Sequence, residues 1–319
     1  MADWSDRGSV ARQNVRVFSA IALGLHKPAG IAGAGHHLWI TNSAGNSVTE
    51  LGWRHGEAQK VGKGSGSRFL APGAITSGRG HLWIADMVAN AITELRSGNG
   101  AVVRTIGGVG APHSLLLFGN RLWVTNPGGN AVSLINARTG EKLRVFRHNG
   151  FAYPSALAVS HRLLWVANEG KNTITVMDAV TGAWKATLRG KRFALRQPVA
   201  EVAGRRMLWV ASARGHSITQ INTITGKPVR IIAGPRFHLG GPGAMALADG
   251  KLWVLNTAGN SVTEIDAATG RRVAVLAGAA YRFHRPIAIA SYQHAIWVAS
   301  ANSVTRIALP VSRTGSVAK

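Results

Sequence analysis

Short runs of apolar residues recur along the whole chain, each bounded by glycine, asparagine, aspartate or proline. Residues 121–135 read RLWVTNPGGNAVSLI. An apolar LWV triplet leads into a turn-forming stretch, and a second run follows in which polar and apolar residues alternate. That is the pattern of two β-strands joined by a loop. The pattern repeats around seven tryptophans: Trp39, Trp83, Trp123, Trp165, Trp209, Trp253 and Trp297. A proline stands eleven residues before each, at Pro28, Pro72, Pro112, Pro154, Pro198, Pro242 and Pro286. A period in the low forties with strand-like content predicts an all-β chain, a seven-bladed β-propeller with four antiparallel strands per blade.

Each repeat reads as four strands. The first follows the proline, as in PSALAVS at 154–160, and carries a small residue two positions on: Gly30, Ala74, Ser114, Ala156, Ala200, Ala244 and Ala288. Small residues suit the crowded strand nearest the ring axis. The second strand holds the tryptophan, whose large area is best used in packing one blade on the next. The third alternates hydroxyl and apolar residues around Thr49, Thr93, Ser133, Thr175, Thr219, Thr263 and Thr305. Turns such as NARTGEK and DAATGRR follow, where glycine supplies a positive φ and Asn or Asp caps the hairpin. The fourth strand is variable and basic, as in KLRVF at 142–146, and suits a solvated outer edge.

The two chain ends complement each other. Residues 13–19, QNVRVFS, read as a strand without a blade, and the last repeat stops one strand short after 302–309. Pairing the first with the last closes the ring and removes its open sheet edges. The predicted organisation is a loose stretch over 1–12, one propeller over 13–309 and a basic tail over 310–319.

The 319 residues include 37 Lys and Arg against 13 Asp and Glu, a formal charge of +24. Such an excess attracts phosphates, anionic lipid heads or acidic partners. Arginine-rich composition in an alanine- and glycine-rich chain explains the same number without a partner, and both readings stand. Cysteine is absent, which removes disulfide and thiolate chemistry, fits the cytosol and leaves export open. The N-terminus lacks a signal-like apolar core, and no apolar run approaches the length of a membrane span. A cytoplasmic monomer is the expectation.

LWVTN at 122–126, followed by GNAVSLINARTG at 129–140, resembles the YVTN-type propeller repeat, with Trp where that family usually has Tyr. NHL-type repeats and streptogramin lyases are similar at this level. The resemblance covers all seven repeats, but its matching residues are those that build blades. It implies a seven-bladed ring whose members bind ligands or proteins, with a minority that are enzymes.

Loops between second and third strands share one face with the connectors between blades, the default binding surface. Asn46, Asn90, Asn130, Asn172 and Asn260 hold one loop position, where His216 replaces Asn in the fifth repeat. Asn there reads first as a turn residue. The connectors carry a recurring pair: Arg68–Phe69, Arg192–Phe193, Arg236–Phe237 and Arg282–Phe283, the last followed by His284 and Arg285. Arg forks onto carboxylate or phosphate and aromatic faces stack planar groups, so this rim is a candidate for an anionic ligand, an acidic protein or a nucleic acid. The competing reading has each Phe plugging the gap between blades and each Arg covering it.

Glu201 breaks an otherwise apolar row: Ile31, Ile75, Leu115, Leu157, Met245 and Ile289 hold the same position elsewhere. It reads either as a buried ion pair, with Arg205 or Arg206, or as a general base near the channel. Streptogramin lyases, as the resemblance implies, need a His and Glu pair in the channel with a divalent metal. No Glu-x-His occurs, and no run spaces His and carboxylates as metal ligands. Such a site requires the fold to gather His113, Glu201 and His238. The leading expectation is a non-catalytic binding module, and a channel-site lyase is the alternative.

Overall fold

The computed structural model describes residues 15–52, 58–62, 69–147 and 150–310. The described residues form seven four-stranded antiparallel sheets and no α-helix. Blades 1 to 6 span 28–62, 72–107, 115–146, 154–188, 198–233 and 242–276. Each follows chain order from its inner to its outer strand. Blade 7 takes three strands from 288–308 and its outer strand, Val15–Ser19, from the start of the chain.

That closing strand pairs antiparallel with Ser303–Ala308, placing Val17 opposite Thr305. Phe18 stacks on Trp297 with ring centroids 6.1 Å apart. From the other side of the seam, the Tyr292 ring of blade 7 lies over Gly33 of blade 1. A Cβ at Gly33 would meet the ring at 2.1 Å, so only glycine fits. The predicted ring closure is present. The expected loose ends, 1–12 and most of 310–319, lie outside the described residues.

The core is divided into seven clusters, one per blade interface, and each holds one of the seven tryptophans. Each buries most of its large surface against the next blade, which accounts for its recurrence. Their indole N–H groups fare differently. Trp123 donates to the Ala179 carbonyl at 3.1 Å and Trp297 to that of Tyr292 at 3.3 Å. Those of Trp39, Trp83, Trp165 and Trp253 are buried without an acceptor among the described residues.

Hydrogen bonds between loop and connector link successive blades. The residue before each blade-opening proline has a positive φ, from Ala111 at 46° to Gly241 at 65°. Its N–H is held by the loop asparagine of the preceding blade: Asn46 binds Ala71, Asn90 binds Ala111, Asn130 binds Tyr153 and Asn260 binds Arg285. Those asparagines are themselves left-handed, at φ between 45° and 53°. Asn tolerates that backbone and offers an acceptor, so the structure uses it as a turn residue.

No helix among the described residues is long and apolar enough to cross a membrane.

Candidate functional site

The antiparallel order puts second-to-third-strand loops and blade connectors on one face. Around blades 4 and 5 that face becomes strongly basic. A groove of about 690 Å³ between their outer parts is lined by Lys171, Arg189, Lys191 and Arg196, with no acidic residue in its wall. It runs past Arg196 into a second pocket of about 820 Å³, which adds Arg214, His216, Tyr153 and Glu169.

Backbone geometry aims these side chains. The N–H of Gln197 is held by Asn172 at 2.6 Å, and its carbonyl accepts from Ala213 at 2.9 Å. Tyr153 is fixed the same way by Asn130 and by the N–H of Glu169. Both residues are left-handed, at φ 57° and 52°, and Tyr153 stands 47 % exposed beside the pocket. Gln197 Nε2 donates to Glu169 Oε1 at 2.7 Å, so the one carboxylate of this pocket wall is tied back to the protein. The arginines therefore dominate the local field. His216 Nδ1 lies 3.0 Å from the Leu239 carbonyl and 3.3 Å from the N–H of Gly241. One nitrogen cannot both donate to that carbonyl and accept from that amide, and the shorter contact favours a protonated Nδ1.

The connector pairs divide their labour. Phe69, Phe193, Phe237 and Phe283 are all buried in inter-blade clusters, as the plugging alternative describes. Their faces are not offered to a ligand. Arg192 and Arg236 lie over Phe193 and Phe237, at 5.0 and 4.9 Å from ring centroid to guanidinium carbon. Both remain exposed, as do Arg282, His284 and Arg285. Arg282 and His284 line a separate recess of about 490 Å³ between blades 6 and 7. Arg68 lies outside the described residues. The aromatic part of the rim is thus structural, and the exposed part is cationic. Arg196 and Tyr153 lie in connectors, each within two residues of a blade-opening proline. Arg214 and Glu169 come from loops that gave no motif, and the signal available was the loop face alone.

His113, Glu201 and His238 do not come together. His113 is exposed, and its Nδ1 donates to the Ser155 carbonyl at 3.1 Å. His238 lines an outer groove between blades 5 and 6. Glu201 follows the parity of its strand: Ala203, two residues on, packs on the cluster between blades 4 and 5, so Glu201 faces that cluster too. In the other blades the same row supplies an apolar side chain to an inter-blade cluster. Both Glu201 oxygens are buried and have no hydrogen-bond partner among the described residues. Burial pushes its carboxyl well above the usual 4.5, which favours the neutral acid over the carboxylate. The expected ion pair is not made, because Arg205 and Arg206 lie exposed in the hairpin beyond.

Among the described residues no three His, Cys, Asp or Glu side chains cluster closely enough to hold a metal ion. The divalent metal implied by the lyase resemblance therefore finds no donor set there.

No protein-family model matches the chain, and no curated protein matches it in sequence. Solved structures match its shape. A virginiamycin B lyase from Staphylococcus aureus superposes with a TM-score of 0.78 at 18% identity, covering 93% of this chain and 99% of that one. A streptogramin B lyase gives 0.78 at 17%, covering 93% and 98%. A computationally designed protein, Ika8, gives 0.67 at 13%, covering 90% and 98%. At these identities the likeness is one of fold: the chain is a seven-bladed propeller of the shape that the virginiamycin B and streptogramin B lyases also adopt.

Proposed function

We propose that this protein is a cytoplasmic, monomeric binding module that holds an anionic partner on the connector face of blades 4 and 5. The observation that supports this most is the groove walled by Lys171, Arg189, Lys191 and Arg196 without an acid. Arg192, next in sequence to Lys191, and Arg214 of the adjoining pocket are also exposed. An acidic protein segment or a phosphate backbone meets such a surface through charge-assisted hydrogen bonds. The connector phenylalanines are buried and offer no stacking face, which leaves Tyr153 as the exposed aromatic beside a surface that recognises mainly backbone or carboxylate charge.

The lyase reading has the fold of its namesakes but not a gathered site. His113, Glu201 and His238 point to three different surroundings, and we assign no reaction to them.

The test is equilibrium binding of poly-glutamate and of a single-stranded oligonucleotide at two salt concentrations. The wild type is compared with the triple variant Arg189→Ala, Lys191→Ala and Arg196→Ala. We expect affinity that falls steeply with salt, and falls about tenfold or more in the triple variant. Binding that is equal in both proteins would reduce the charge to a general field and overturn this reading.

A further inference from the structure

The opposite face carries a second site of different character. Between blades 5 and 6, on the hairpin side, lies a groove of about 850 Å³. Its wall includes Arg205, Arg206, Arg230, Trp209, Gln220 and Leu247. Its lining holds three arginines against one carboxylate, Asp249, together with apolar side chains.

Comparison between blades shows what makes it a site. In blade 2, Glu94 stands opposite Trp83 on one side and Arg104 on the other. Arg104 Nε binds Glu94 Oε2 at 2.7 Å, and His81 Nδ1 binds Oε1 at 2.8 Å. Blade 5 keeps the register, with Gln220 opposite Trp209 and Arg230. It replaces the glutamate by an amide and His81 by Met207. The cation is retained and its anion is gone. No described residue pairs with the Arg230 guanidinium.

Gln220 is 2 % exposed, and its Nε2 donates to the Ala267 carbonyl at 3.2 Å. A carbonyl only accepts, which fixes the amide's orientation. Its Oε1 is then a buried acceptor with no donor, an expensive state unless a ligand supplies one. The Trp209 indole N–H adds a donor: it binds no described residue, and it is not among the sealed indole groups of the ring.

We propose that this groove binds a small organic anion with a ring-sized apolar body and one N–H or O–H donor. Its acidic head takes the place of the missing carboxylate at Arg230 and Arg206. Its body lies against Trp209 and Leu247, and its donor satisfies Gln220 Oε1. A concave, mostly apolar wall with a few convergent polar groups is the usual form of a small-molecule site.

The probe is 8-anilinonaphthalene-1-sulfonate, which has all three features, titrated by fluorescence into the full chain. N-phenyl-1-naphthylamine, with the same rings and N–H but no sulfonate, is the comparator. We expect one saturable site that binds the neutral comparator at least about tenfold more weakly. Gln220→Glu should weaken sulfonate binding at least about tenfold, because the new carboxylate captures Arg230 as Glu94 captures Arg104. Arg230→Leu should do the same without adding a charge, and it carries the test if Gln220→Glu fails to fold. The triple variant Arg189→Ala, Lys191→Ala and Arg196→Ala, on the other face, should leave this binding intact. The proposal is overturned by unsaturable binding, by equal binding of the neutral probe, by indifference to both blade 5 variants, or by loss in the triple variant.

Discussion

Asn172 Oδ1 accepts the backbone N–H of Gln197 at 2.6 Å, joining the loop of blade 4 to the residue that precedes the opening proline of blade 5. Both residues are left-handed. The bond and the two strained backbones form one unit, repeated around the ring.

Replacing Asn172 tests it. Asn172→Gly loses the hydrogen bond, worth about 1 kcal/mol, but fits the backbone. Asn172→Ala loses the bond and adds about 1–2 kcal/mol of left-handed strain. Urea unfolding should therefore rank wild type above the glycine variant and the glycine variant above alanine. A reversed order of the two variants would show that side-chain packing, not backbone geometry, sets this position.

Glu201 gives a pH dependence of definite sign. Its folded carboxyl titrates well above the usual 4.5 because it is buried. Below that ordinary value the group is protonated in both states and imposes no slope. Above it the unfolded chain releases the proton while the folded chain keeps it, so stability falls as pH rises, by about 1.4 kcal/mol per unit. The decline continues until the raised folded value is reached. Glu201→Leu restores the apolar row and removes the slope. Its advantage over wild type, measured by urea unfolding between pH 4 and 8, should grow with pH. A constant difference would mean that Glu201 is solvated or paired.

Two tryptophans should respond differently to loss of the indole N–H. Trp123 donates to Ala179, whereas the N–H of Trp165 is buried without an acceptor. Both Trp→Phe changes remove ring volume, but only Trp123→Phe also strips the Ala179 carbonyl of its partner. Unfolding free energies should separate the two variants by about 1 kcal/mol, with Trp123→Phe the less stable.

Ring closure rests on Val15–Ser19 and on the Phe18–Trp297 stack. Phe18→Ala should destabilise the protein by about 2 kcal/mol, below the range for a fully buried phenylalanine because Phe18 is only partly buried. Removing residues 1–19 bares the edge of Ser303–Ala308 and should give concentration-dependent association in sedimentation. A truncated chain that stays monomeric with unchanged stability would show that the strand is dispensable.

The sequence by itself determined the ring. Seven proline–tryptophan units, tight hairpin turns and the unmatched strand at 13–19 are local patterns, and strand pairing turns local patterns into blades directly. The turn role of Asn46, Asn90, Asn130, Asn172 and Asn260 was legible for the same reason, because a left-handed backbone is a property of the residue itself.

Contacts between blades were decided only by the tertiary structure, since they join residues more than twenty positions apart. The spacing shows that Arg192 precedes Phe193, but only blade packing turns the ring inward and leaves the guanidinium outside. A one-residue change of parity separates the interface with blade 4 from the interface with blade 6, and it put Glu201 beside the cluster between blades 4 and 5, away from both His113 and His238. Arg214 and Glu169 joined the connector-face pocket through loop geometry. The missing carboxylate at Gln220 has meaning only when blade 5 is laid over blade 2, where the same register holds Glu94 and Arg104 together.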